Sequence, residues 1–117
     1  MNKNEKFWQL LDKLVEKHRI VVDRPKGSCH PRYEDYIYPL DYGYLDGSHS
    51  SDNVEVDVWL GTSSDRRVRG IISSVDILKS DVEVKLLFAC TDEEMDLIMQ
   101  HHNRSENTVG ILTARED

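Results

Sequence analysis

The sequence predicts an α+β fold: a small β-barrel with an N-terminal and a C-terminal helix against it, in one domain over residues 1–117. Three observations predict it. Apolar residues recur at helical spacing in two segments, one near each end. Between them lie several short β-branched runs of period 2. Gly and Pro interrupt those runs, which favours a curled sheet of short strands.

The first helix is expected over 4–17. Phe7, Leu10, Leu11, Leu14 and Val15 form one apolar stripe, while Lys6, Lys13, Glu16 and Lys17 lie off it. Asn4 is the expected cap. "RIVVD", 19–23, reads as a short strand that Pro25 and Gly27 break. "KGSCHPRYED" reads as a turn or short hairpin, and 36–46 as an extended piece interrupted by Pro39 and Gly43. In "VEVDVWL", 54–60, Val54, Val56, Val58 and Leu60 alternate with Glu55, Asp57 and Trp59, which predicts a half-buried strand. "GTSSDRR" is a loop. Further strands are expected over 68–79, bent at Gly70 or Ser73-Ser74, and over 82–90. Thr91 and Glu94 make a capping box that opens a helix running to His102. "TVGILTA", 108–114, reads as a final strand.

Composition limits the function. The chain has 117 residues, 38 % hydrophobic and 32 % charged, the balance of a globular domain. No apolar run approaches the ~20 residues that span a bilayer, and the N-terminus is too charged for a signal peptide, so no membrane partner and a cytoplasmic location are expected. Cys29 and Cys90 lack metal-site spacing and are expected as free thiols. The formal net charge of -7 argues against a nucleic-acid partner. It suits a site that collects divalent cations.

The chemistry concentrates in "YPLDYGYLDGSHSSDNVEVDVW", residues 38–59. Asp52, Glu55 and Asp57 fall within six positions of one another. Asp23, Glu34, Asp76, Asp81 and Glu83 recur near strand ends or breaks. Hard cations such as Mg²⁺ take carboxylate oxygens, but solvated turn acids have the same spacing, so both readings stand on spacing alone. Lys26, Arg32, Lys79 and Lys85 are interleaved with the acids, and Tyr38 and Tyr42 can hydrogen-bond an anion. Acids, cations and tyrosines together suit metal-assisted phosphoryl transfer. His101 and His102 are adjacent on the second helix and are expected to diverge into structural or exposed positions.

Three of these segments resemble the soluble family I inorganic pyrophosphatases. "YPLDYGYLDGSHSSDNVEVDVW" is similar to the family's Tyr-Pro-x-x-Tyr-Gly-Tyr segment and the Asp-Gly-Asp-x-x-Asp loop that opens onto an apolar strand. "VVDRPKGSCHPRYED" resembles its acid-x-Pro strand end and Lys-Tyr-Glu hairpin. "VDILKSDVEVKLL" resembles its Leu-Lys, acid, x, Lys-Leu strand pair. The likeness runs from about 19 to 88, in order. It implies a five-stranded, oligonucleotide-binding-like barrel and the Mg²⁺-dependent cleavage of pyrophosphate to two phosphates. By the same resemblance Asp23, Glu34, Asp52, Asp57, Asp81 and Glu83 would bind metal. Lys26, Arg32, Tyr38 and Lys85 would bind the phosphoanion, and Tyr42 and Asp57 would take part in catalysis. The middle acid of the family's loop is Val54 here. Glu55, one position on, stands as the substitute base.

Two functions follow: a Mg²⁺-dependent pyrophosphatase-like hydrolase, slowed by Val54, or a catalytically degenerate relative that binds a phosphoanion or metal or acts through an interface. A third, an oligonucleotide-binding module, ranks last because it needs a basic groove. The sequence leaves homo-oligomer formation open.

Overall fold

Helix α1, Lys3–Lys17, opens a computed structural model that describes residues 2–116. Its cap is Asn2 rather than Asn4: the Asn2 side chain accepts a hydrogen bond from the Glu5 N–H at 2.8 Å, which leaves Asn4 inside the first turn. Six strands and a second helix follow: β1 Ile20–Arg24, β2 Asp41–Leu45, β3 Asp57–Leu60, β4 Val68–Asp76, β5 Asp81–Phe88, α2 Asp92–His102 and β6 Thr108–Ala114. The capping box at α2 forms as its spacing implies, with Thr91 and Glu94 each bonding the other's backbone.

The strands make one sheet in the order β1-β2-β3-β5-β4-β6. β3 and β5 run parallel, and every other pair is antiparallel. The α+β class holds, with six strands where five were expected, and β1 and β6 stay at opposite edges instead of closing a barrel. The burial pattern explains this. Val58 and Trp59, and Leu86 and Leu87, are consecutive and all buried, so β3 and β5 bury both faces. On one face Trp59, Ile72 and Leu87 pack with Met95 and Ile98 of α2. On the other, Val58, Val68 and Leu86 pack with Trp8 and Val15 of α1. A closed barrel has one interior; here each helix covers its own side of an open sheet.

The expected strand over 54–60 begins only at Asp57. Asn53 takes the left-handed conformation (φ 67°), and Ser50 N–H bonds Val54 C=O at 2.7 Å, so the chain turns where the alternation would have continued. β1 and β2 meet closely at Gly43. A Cβ added there would stand 1.8 Å from the Val21 carbonyl oxygen, so only glycine fits. Asp23, expected at the end of the first strand, is instead the unpaired residue of a bulge: Val22 pairs with Gly43 and Arg24 with Tyr42.

Candidate active site

The α2 face of the sheet assembles a polar centre by strand register. Asp57 pairs with Lys85 across the parallel β3–β5 ladder, and directly paired residues share a face. Period 2 along β5 puts Glu83 and Asp81 on that face too. Tyr42 pairs with Trp59, one row from Asp57. The Lys85 ammonium donates to Tyr42 Oη at 2.6 Å, to Asp57 Oδ2 at 2.9 Å and to Glu83 Oε2 at 2.5 Å. All three of its protons are used. Its side chain is 10 % exposed, so this charge is almost wholly lodged in the fold.

The protonation states follow. Burial alone would lower the Lys85 pKa, but the surrounding oxygens of Tyr42, Asp57 and Glu83 outweigh it and hold the amine charged. Burial raises the Tyr42 phenol above its ordinary range, with the Asp57 charge adding to the effect, so Tyr42 is neutral. Burial pushes Glu83 up as well, yet the hydrogen bond and charge of Lys85 leave its carboxyl below the usual range. Burial and the neighbouring Glu83 raise Asp81.

An aromatic wall stands beside this centre. Tyr42 packs on Trp59 with ring centroids 4.6 Å apart and stacks on Tyr38 at 5.7 Å. Tyr36 meets the edge of His101 at 4.4 Å, and the Arg104 guanidinium lies 3.8 Å over the Tyr36 ring. Trp59 Nε1 donates to His102 Nε2 at 3.2 Å, which fixes that nitrogen as an acceptor and the imidazole as neutral. Both histidines face Trp59, so the expected divergence is small enough for one large ring to span.

Burial pushes both histidines down to about 4. The folded state therefore favours the neutral rings below the unfolded value of about 6.5, and stability falls as pH drops from about 6.5 toward 4. We expect the wild type to lose about 1–2 kcal/mol more than His102→Gln between pH 7 and 4.5, after discounting for partial exposure. Urea unfolding at both pH values measures it; equal losses would assign the acid sensitivity to other groups.

His30 lies against Tyr33 and Tyr36, with ring centroids 5.1 and 5.2 Å away. The charges of Lys79, Arg24, Arg32 and Arg104 all act on His30, which burial and these charges hold below its ordinary pKa. The Lys79 charge also acts on Glu83 and Asp81. The Arg104 charge also acts on Tyr36, His101 and His102.

The sequence-predicted residues divide accordingly. Tyr42, Asp57, Glu83 and Lys85 are brought together, with Tyr38 in the wall and Asp81 next to Glu83. Asp52 is exposed; its carboxylate takes a short hydrogen bond from the Ser50 hydroxyl and one from Val54 N–H at 3.3 Å, while the Lys85 charge still reaches it. Arg32 is exposed, and its charge acts on His30. Lys26, Glu34 and Glu55 have exposed side chains. Glu55 precedes β3, so it does not share a strand face with Asp57 as expected. Asp23, on its bulge, lies 4.0 Å from Arg24. His30, Arg104, Trp59 and His102 were not predicted as site residues. The capping signal at Thr91 marks the helix that ends on His102, with Arg104 two residues beyond, but nothing in the sequence brings that end to β3.

Among the described residues no group of three or more acids, histidines or cysteines stands ready to hold a metal ion. The six-acid set is thus not gathered around one point. Asp57 and Glu83 do converge, and each binds Lys85 through one of its two oxygens. Mg²⁺ keeps most of its waters and needs only one or two carboxylates beside substrate oxygens, so this pair suits it.

No protein-family model and no curated protein sequence matches the chain. Solved structures do. An inorganic pyrophosphatase from Coxiella burnetii is similar with a TM-score of 0.57 and 15 % identity over 84 % of both chains. The fold is that of the inorganic pyrophosphatases. An inorganic phosphatase from Anaplasma phagocytophilum is similar at 0.53 and 13 % identity, over 81 % of both chains. An inorganic pyrophosphatase from Neisseria gonorrhoeae is similar at 0.51 and 18 % identity, over 79 % of this chain and 71 % of that one. At these identities the shared property is the pyrophosphatase fold. No helix of the described residues is long and apolar enough to cross a membrane.

Proposed function

We propose that the chain is a cytoplasmic, pyrophosphatase-like hydrolase that cleaves a small phosphoanhydride, pyrophosphate first, with Mg²⁺ as cofactor. The observation that carries this is the convergence of Tyr42, Asp57 and Glu83 on the Lys85 ammonium, on a sheet with the inorganic pyrophosphatase fold. The Lys79 charge also acts on Glu83 and Asp81. Phosphoryl transfer needs that pairing: cations to take the phosphate oxygens, acids to hold an ion of opposite charge beside them.

In this reading Arg24, Arg32, Lys79 and Arg104 bind the phosphoanion, with Lys26 at the rim. Arginine forks take phosphate oxygens in pairs, and lysine acts as a point charge. Asp57 and Glu83 would hold Mg²⁺, helped by Asp52 and Asp81. When bound, the ion neutralises phosphoryl oxygens and makes water a better nucleophile. Lys85 positions Asp57 and Glu83 and keeps Glu83 ionised. Tyr42, neutral and in hydrogen-bonding reach of Lys85 and Asp57, orients them from the other side. Glu55 is the exposed acid nearest the sequence position that a base would fill. The free thiols of Cys29 and Cys90 fit a reducing compartment.

A second reading, a degenerate relative that binds a phosphoanion without turnover, is favoured by Val54. Phosphate release from pyrophosphate, measured with Mg²⁺ and with a chelator, separates the two. Mg²⁺-dependent release is expected. Binding of pyrophosphate without release would select the degenerate reading, and equal release under chelation would overturn the mechanism.

A further inference from the structure

The face of the sheet that α1 covers is only half covered. Beyond the helix, two rows of β5, β4 and β6 lie bare. One row is Val82, Val75 and Val109; the other is Val84, Ser73 and Ile111. Five of the six positions are aliphatic, and none is charged. Val75, Val82, Val84, Val109 and Ile111 are 48 %, 72 %, 51 %, 54 % and 66 % exposed. Ile77 and Leu78, at the β4–β5 turn, extend the patch at 65 % and 77 %. The next row, Leu86, Ile71 and Thr113, passes under α1. There Phe7 and Trp8 border an open groove with Ile71 and Thr113, so apolar surface continues from the bare sheet to the helix.

We propose that this face is the interface of a homodimer, closed by the same face of a second copy. Area is the first argument. The seven exposed aliphatics present on the order of 700 Å², above the roughly 300–600 Å² of the largest patch on a typical monomer and near the roughly 800 Å² each partner gives a standard interface. Charge is the second. A second copy brings the same net charge of -7, so a surface without acids is where two copies meet with least repulsion, and these rows are such a surface. The same charge disfavours an anionic lipid surface, which attracts a cationic rim. Geometry is the third. Two twisted sheets pack face to face about 10 Å apart with interdigitated side chains, and a two-fold axis makes identical rows face each other. The interface lies on the side of the sheet opposite Lys85, so the candidate active site stays open in the dimer.

Light scattering coupled to size exclusion tests this. Wild type at tens of micromolar should have twice the 13.6 kDa chain mass. Val84→Asp and Ile111→Asp should each return it to the single-chain mass, with an unchanged circular dichroism spectrum, because both positions are already solvated in the single chain. A wild type that stays at 13.6 kDa overturns the proposal. So does a dimer that survives both substitutions. A single-chain wild type that co-sediments with phosphatidylcholine vesicles also overturns it and assigns the face to lipid. The dimer does not depend on the proposed activity: pyrophosphate hydrolysis can fail while the mass still doubles.

Discussion

Lys85→Met should destabilise the protein by about 2–3 kcal/mol at pH 7, with the deficit shrinking toward pH 4. Methionine fills the same space but leaves Asp57 and Glu83 facing each other without a cation. Removing one partner of a buried ion cluster costs roughly 3–5 kcal/mol. Asp57 and Glu83 are about one-third exposed, so water screens part of that loss and the lower figure applies. The sign of the pH dependence follows from Glu83. Its folded pKa is depressed, so its contribution is present above the unfolded value and is lost as pH falls through the folded one. In the variant the depressing cation is gone, burial and neighbouring acids dominate, and protonation relieves the strain. The wild type therefore loses stability on acidification while the variant loses less. Urea unfolding of both proteins at pH 7 and 4 gives the comparison. A deficit that is constant with pH would mean that Lys85 stabilises by packing its stem rather than by its charge. Pyrophosphate release should fall with it under either outcome, because the same lysine orients both candidate ion-holding carboxylates.

How the centre forms could be read only in part from the chain. Both helices were visible because their apolar stripes repeat at 3.6, and the α2 cap because Thr91 and Glu94 have capping spacing. Even there one duty was hidden: the Glu94 carboxylate also takes bonds from Thr62 N–H and hydroxyl, 32 residues away, tying the loop after β3 to the helix. Strand β6 matched its pattern end to end. Strand β3 did not, because period 2 says nothing about φ, and a left-handed Asn53 turns the chain before Asp57. Asp57, Glu83 and Lys85 were each named as site residues. That they share one ammonium depends on β3 pairing in parallel with β5, a register that local pattern does not encode. The charges that act on His30 were hidden for a similar reason: Arg24, Lys79 and Arg104 belong to β1, the β4–β5 turn and the segment after α2, and local pattern does not group such distant positions. The open sheet itself was the hardest to foresee, because Val58-Trp59 and Leu86-Leu87 read equally as one buried strand face or as two.

Val54→Asp should raise Mg²⁺-dependent phosphate release by about 10² or more, the lower end of what a positioned acid-base group contributes. The backbone at this position is already pinned. Val54 C=O accepts from Ser50 N–H at 2.7 Å and from the Ser50 hydroxyl at 2.9 Å, and Val54 N–H donates to Asp52. The side chain packs against little, at 55 % exposure, so replacing it creates no cavity and leaves no buried charge. An aspartate there would stand two residues from Asp52 and three from Asp57, adding a third carboxylate to a loop that the Lys85 charge already reaches. The gain should come in kcat rather than KM, because the added group would act on the attacking water and the cations proposed to bind the phosphoanion are untouched. Parallel measurement of Val54→Asn controls for the change of shape, since the amide cannot accept a proton. A rise for aspartate but not for asparagine would identify Val54 as the residue that limits turnover. No rise for either, in a protein that still binds pyrophosphate, would mean that the missing acid is not the only lesion. The turn at Asn53 and the bond network of Lys85 would then hold Asp52 and Asp57 too far apart to share an ion, and the chain would keep the pyrophosphatase fold as an anion-binding scaffold.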